Sequence, residues 1–299
     1  ALTVTFHDVG EDGSVKPQPP RSVFDEAGKL VDSQGLKVYD EAGRFEATPG
    51  PEPAGAKILW SQNLGGMILD KPLIQGDKIL VSVSEQGVLA LDRRDGKIVE
   101  NSSSAPADED KSVAYETDWA GEIRALSPDG TILWKKQLTD LIYFSAGRCI
   151  PAVIGRTLVI TTGKPLLMGL DPKTGKTLWE REEKVSYSSA VPWKIKLGAV
   201  ATMDGRLQVF KPAGGKKVFE VQAGGASFSS RPAVDGDRAY LVSFEGKLHA
   251  VDLKGHKAAW TLNLGSSYIF SDPAARDGVV YVGNLNGDLF AVQDLALPH

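Results

Sequence analysis

The side chains best suited to chemistry in this 299-residue chain are few and scattered. The four histidines are His7, His249, His256 and His299, and no set of them has the spacing that gathers metal ligands or places a base beside a nucleophile. Cys149, the one cysteine, opens the apolar run Cys149-Ile-Pro-Ala-Val153. That setting suits a small buried hydrophobe better than a reactive thiol. Gly175-Lys176-Thr177 ends like a phosphate-binding loop, but Leu170 holds the place of the required earlier glycine. Asp70, Glu85, Asp118, Glu245 and Asp272 could serve acid–base work only if the fold brings them together, and their spacing singles none of them out. No catalytic, cofactor-binding or metal-ligating residue is therefore assigned.

What must position these residues is a repeat. A phrase of Gly, any residue, Leu or Ile, any residue and a small or apolar pair recurs at Gly87-Val-Leu-Ala-Leu-Asp92, Gly205-Arg-Leu-Gln-Val-Phe210, Gly246-Lys-Leu-His-Ala-Val-Asp252 and Gly287-Asp-Leu-Phe-Ala-Val292. Gly205, Gly246 and Gly287 are spaced at 41 residues, a period that marks copied supersecondary units. Before the phrase stands an alternating strand such as Arg238-Ala-Tyr-Leu-Val242. After it come a Gly-containing turn and a strand ending in an aromatic, as in Thr174-Gly175-Lys-Thr-Leu-Trp179. Four short strands fill such a period, which is the size of one propeller blade. His249 occupies a position filled by Gln208 and Phe290 in other copies, so it reads as a blade side chain.

The repeat predicts an all-β protein, a β-propeller of four-stranded blades with almost no helix. The count is seven, with six and eight as alternatives. The seventh copy is Gly35-Leu-Lys-Val-Tyr-Asp40 with Lys57-Ile-Leu-Trp60 as its outer strand. Because the last copy stops near Asp294 without an outer strand, the N-terminal strand Leu2-Thr-Val-Thr-Phe6 is expected to close the ring. One propeller domain then accounts for residues 1–299, with irregular arms or insertions at 7–20, 46–56 and 101–111. The net charge of −4 is modest and interspersed, with no basic stripe for a phosphate backbone, so nucleic acid is not an expected partner. No apolar run has the length of a membrane span. A start at Ala1 points to a processed or trimmed chain.

Ala90-Leu-Asp92-Arg-Arg-Asp-Gly96, Gly169-Leu-Asp171-Pro-Lys-Thr-Gly175-Lys-Thr-Leu-Trp179 and Ala250-Val-Asp252-Leu-Lys-Gly255-His-Lys-Ala-Ala-Trp260 resemble the signature of the pyrroloquinoline quinone-like (PQQ-like) repeat. The resemblance extends over roughly residues 57 to 294. It implies that Trp60, Trp134, Trp179 and Trp260 are structural staples between blades. One branch of this family, the quinoprotein dehydrogenases, binds the quinone with calcium on the propeller axis, often against an adjacent-cysteine disulfide. The other has no cofactor and uses the propeller for docking, as in the lipoprotein of the outer-membrane β-barrel assembly machinery. A single cysteine, a short chain and no calcium cluster of Asp, Asn and Glu favour the second. The resemblance thus implies a noncatalytic scaffold or accessory subunit of a bacterial cell-envelope complex, periplasmic or extracellular, without a cofactor and with other proteins as partners. The alternative is a small PQQ-dependent or other propeller dehydrogenase with its site on the axis.

The segments leading into the innermost strands also repeat: Ile68-Leu-Asp-Lys71-Pro72, Tyr187-Ser-Ser-Ala190-Val191, Phe228-Ser-Ser-Arg231-Pro232 and Phe270-Ser-Asp272-Pro273. In a propeller they converge on one mouth of the central channel. The residue at the end of each varies (Lys71, Ala190, Arg231, Asp272, with Ile150 in another blade) while the scaffold repeats, which is where binding is expected. Lys71, Tyr187, Phe228, Arg231, Tyr268, Phe270 and Asp272 are the candidate partner contacts, with Tyr143 and Phe144 nearby. Two readings remain open: the aromatics rim the mouth or pack between blades, and the charges bind a partner or only plug the channel.

Overall fold

The computed structural model describes residues 7–9, 15–17, 51–102, 113–118, 121–138, 150–162, 165–185, 188–225, 227–228, 230–265, 269 and 271–297. The chain divides into two units, Ala1–Thr48 and Pro49–His299. In the first, strands β1 (His7–Val9) and β2 (Val15–Pro17) pair antiparallel, so the stretch expected as an irregular arm contains a hairpin. Leu2–Phe6, the Gly35 copy, Cys149, and the aromatics Tyr143, Phe144, Tyr187, Tyr268 and Phe270 lie outside the described residues.

The second unit opens with β3 (Ala56–Asn63). There follow β4 to β7 (Leu73–Gln75, Lys78–Val83, Gly87–Asp92, Ile98–Ser102) and β8 to β10 (Ala114–Thr117, Glu122–Leu126, Ile132–Gln137). Next come β11 to β14 (Ala152–Ile154, Thr157–Thr161, Leu166–Leu170, Thr177–Glu182) and β15 to β18 (Val191–Pro192, Gly198–Ala201, Arg206–Phe210, Lys217–Gln222). The last are β19 to β22 (Ala233–Asp235, Arg238–Val242, Lys247–Asp252, Lys257–Asn263) and β23 to β25 (Ala274–Arg276, Val279–Gly283, Asp288–Asp294). Each group is one antiparallel meander, and β3 adds to β25 as the fourth strand of the last sheet. The leading strands approach one another in succession, β11 to β15, β15 to β19, β19 to β23 and β23 to β4, which places them innermost in a β-propeller. No helix occurs among the described residues.

Local chemistry explains the repeat. The glycine opening each phrase has a left-handed backbone, with φ of 80° at Gly87, 74° at Gly246 and 85° at Gly287. A Cβ on Gly287 would also lie 2.6 Å from the carbonyl oxygen of Gly66, so only glycine fits that turn. Apolar side chains of neighbouring sheets then interleave: Ile79, Val81, Leu89 and Leu91 meet Tyr281, Leu289 and Ala291 of the last sheet in one dry core. Equivalent cores join β19–β22 to the last sheet and β15–β18 to β19–β22.

Two expectations are corrected here. The strand that closes the last sheet is Ala56–Asn63, not Leu2–Phe6, and Lys57–Trp60 therefore belongs to that sheet and not to a seventh copy. Among the described residues the second unit has six sheets, apart from the β1–β2 pair of the first unit. The reason lies in the outer-strand pattern. In β3 the register skips Leu59, which turns Trp60 inward opposite Ala291. The same skip precedes Trp134, Trp179, Phe219 and Trp260, whereas Leu2–Phe6 has alternation alone. The lead-in Ile68–Pro72 then follows β3 as other lead-ins follow their outer strands.

Antiparallel meanders put alternate connections at opposite ends, giving this unit two faces. On one, lead-ins bond to the turns between second and third strands, as in Ser84 N–H to Met67 O and Met203 N–H to Lys184 O. On the other, first-to-second turns accept from third-to-fourth turns, as in Arg93 N–H to Asp77 O and Leu253 N–H to Asp237 O.

Candidate docking surface

The tryptophans are positioned by their bulges and gripped by the next sheet. Trp60 Nε1 donates to Arg93 O at 3.0 Å, Trp134 Nε1 to Pro172 O at 3.0 Å, and Trp179 Nε1 to Pro212 O at 2.7 Å. Each ring lies over a glycine of the receiving turn. A Cβ at Gly96, Gly175 or Gly215 would come within 2.5, 2.6 and 2.5 Å of its indole. Gly175-Lys176-Thr177 is therefore the seat of Trp134. In the same turn Asp171 accepts from the N–H groups of Lys173 and Thr174, and the first of these bonds holds its carboxyl below the usual range. Trp260 is buried beside Tyr240, but among the described residues its indole N–H has no acceptor. The turn it would meet is interrupted, because the last sheet takes its outer strand from β3.

Two interfaces depart from this pattern. In β7 the register skips Val99 and puts Glu100, not an aromatic, opposite Ala90. The outer strand β18 carries Phe219 where its neighbours carry Trp, and the receiving turn presents His256, with φ 52°, where the others present Gly. The two rings stack at 3.7 Å. Opposite Phe219 stands Val209, where the tryptophans face Ala125, Gly169, Ala250 and Ala291.

On the lead-in face, the structure brings together three of the expected contacts. Arg231 and Asp272, 41 residues apart, form a two-point pair: Arg231 N–H to Asp272 Oδ1 at 2.8 Å and Arg231 Nε–H to Asp272 Oδ2 at 2.6 Å. Lys71 feels both charges. Although its side chain reaches solvent, the surrounding protein and then Arg231 hold its amine below the usual lysine range, against the pull of Asp272. The cluster thus sets two cationic side chains against one carboxylate, with Arg231 and Asp272 paired. Phe228, by contrast, is buried in the core between two sheets and meets His249 edge-on at 5.3 Å. Met67 and Leu69 of the Lys71 lead-in are exposed, as are Ile150 and Met203 in other sheets. Met67 and Leu69 were missed by residue pattern because their buried neighbour Ile68 satisfies the same apolar run.

The remaining candidates are dispersed. His249 Nδ1 lies 3.0 Å from Ala223 O and from Thr261 Oγ1, its Nε2 lies 3.3 Å from Ser243 Oγ, and burial pushes its pKa down to about 4. Asp118 pairs with Arg124 and Glu245 with Lys247. Among the described residues no group of three His, Cys, Asp or Glu side chains is placed to hold a metal ion.

Repeated bulge, indole and glycine seat define a propeller of the PQQ-repeat class. The chain belongs to the family described as outer membrane protein assembly factor BamB, whose model matches residues 120–296. Relatives carrying that name include proteins of Xanthomonas campestris pv. campestris, 25% identical over 63% of this chain and 48% of the relative, and of Alkalilimnicola ehrlichii, 24% identical over 61% and 50%. That of Shewanella oneidensis is 23% identical over 89% of this chain and 70% of its own. The chain thus spans about half the length of the first two. BamB from Moraxella catarrhalis superposes with a TM-score of 0.52 at 17% identity, covering 79% of this chain and 75% of that one. The computationally designed Ika8 protein superposes at 0.58 with 11% identity, covering 79% and 99%. Both likenesses concern the fold.

Proposed function

We propose that this chain is a noncatalytic accessory propeller of an outer-membrane protein assembly complex, working in the periplasm and docking another protein on its lead-in face. The family match across residues 120–296 carries this reading. The Lys71, Arg231 and Asp272 cluster with exposed Met67 and Leu69 in the same lead-in as Lys71 supports the location, since an apolar surface beside an oriented charge suits protein recognition. Tyr187, Tyr268 and Phe270 belong to the same proposed mouth by their place in the repeat. Phe228 supports it from beneath.

The test is affinity isolation from envelopes of the native host, with the chain and a Lys71→Glu/Leu69→Asp variant as baits. β-Barrel assembly proteins should be retained by the first and lost by the second at unchanged melting temperature. Equal retention would move the contact elsewhere, and saturable binding of PQQ with calcium would overturn the noncatalytic reading.

A further inference from the structure

On the opposite face lies a feature that the repeat does not account for. The first-to-second connections of four sheets are two-residue turns, between the pairs Gln75 and Lys78, Ile154 and Thr157, Asp235 and Arg238, and Arg276 and Val279. In the β15–β18 sheet Pro192 pairs with Gly198, which leaves Trp193–Leu197 as a longer loop. That loop is braced. Trp193 is buried edge-on against Phe219 at 6.0 Å, and Lys194 lies over the Trp193 ring at 4.4 Å while pairing with Asp237 at 3.2 Å. Trp193 N–H donates to Leu197 O at 2.8 Å. The bracing presents Ile195 to solvent with 85% of its surface exposed, the most exposed large apolar side chain among the described residues.

Beside the loop runs a groove of about 690 Å³, floored by Ile154, Leu197 and Pro212 and edged by Arg156, Lys196 and Lys211. None of these three cations makes an ion pair among the described residues. A braced, exposed isoleucine beside an apolar trough costs solubility, and unpaired cations on its edges select the sign of what covers it. We infer that this groove binds an acidic, apolar peptide segment of a partner protein, its apolar side chains in the trough against Ile195 and its carboxylates on Arg156, Lys196 and Lys211. This second surface is on the face opposite the docking site proposed above and is independent of it. A concave trough favours a peptide over a flat lipid surface.

The experiment uses the full chain and an array of short peptides with Leu, Ile, Phe, Val, Trp or Met at the centre and Asp or Glu at both ends, beside matching arrays with Lys ends or Ser centres. Members of the acidic–apolar set should bind saturably, and the two control sets should not. Ile195→Asp and Lys211→Glu should each weaken the best binder by about tenfold or more, while Lys71→Glu leaves it unchanged. Because Ile195 is exposed, the melting temperature of Ile195→Asp checks that the fold persists. No acidic–apolar binder, or binders indifferent to both substitutions, overturns the inference. So does Ile195-dependent sedimentation with phosphatidylglycerol vesicles, or Ile195-dependent self-association, if no peptide binds.

Discussion

The exchange of Trp and Gly for Phe and His at one interface shows that the aromatic staple is a fixed volume shared by three residues. Where the indole is present, the facing residue is Ala or Gly and the receiving turn has no Cβ; where Phe219 replaces it, Val209 and His256 fill the difference. Phe219→Trp should therefore destabilise the protein by about 1–3 kcal/mol through overpacking. Adding Val209→Ala and His256→Gly should recover most of that loss in denaturant titrations, and an additive triple variant would refute the shared volume. The indole N–H groups differ as well. Trp179→Phe removes a bond to Pro212 O and should cost about 0.5–1.5 kcal/mol more than Trp260→Phe, whose donor has no acceptor among the described residues. His249 supplies a pH dependence. Folded, it binds a proton only near pH 4, while unfolded it does so near about 6.5. Between those values the unfolded chain holds the extra proton, so stability falls as pH drops through the window, by about 3 kcal/mol in full, and is flat in this group below it. His249→Gln, which copies Gln208 of the preceding sheet, should flatten that part of the stability profile relative to the parent.

At the scale of the strand, the outer-strand grammar was legible but incompletely read. The phrase glycines, the Asp turns and the tryptophans all repeat in sequence, and they fix the meander and its staples. What pattern alone left ambiguous was which sheet Lys57–Trp60 joins, because a strand's pairing partner is set by packing at long range and not by its own alternation. The bulge at Leu59 and the lead-in that follows β3 were the available signals. The mouth divided likewise: Arg231 and Asp272 meet because equivalent positions of adjacent blades are neighbours, which the period predicts. The burial of Phe228 depends on a partner ring, His249, that no local pattern reveals. A chain beginning at Pro49 keeps the closing strand and should melt cooperatively. One beginning at Leu64 exposes the β25 edge and should lose several degrees or aggregate, and equal melting of the two would refute closure by β3.

For the molecule as a whole, two chemically distinct faces on one propeller suit an adaptor that touches two things at once. The Lys71, Arg231 and Asp272 cluster on the lead-in face combines two cations with one anion, and the groove on the turn face sets three cations beside an apolar trough. Contacts built on exposed charge weaken as salt rises, so partner retention in the affinity isolation should fall with ionic strength more steeply for the turn face. The position of β3 carries a further consequence. Its Asn63 is joined to Asp288 across 225 residues of chain, so the strand must wait for β25 to be made before it has a partner. Every intermediate made before β25 therefore has an open seam, and closing it is the most non-local pairing of the second unit, the kind that topology makes slow. In any chain of this topology that crosses a membrane amino end first, the whole transit would be made in that unsealed form, folding would wait on one strand, and holding chaperones would have a defined edge to guard.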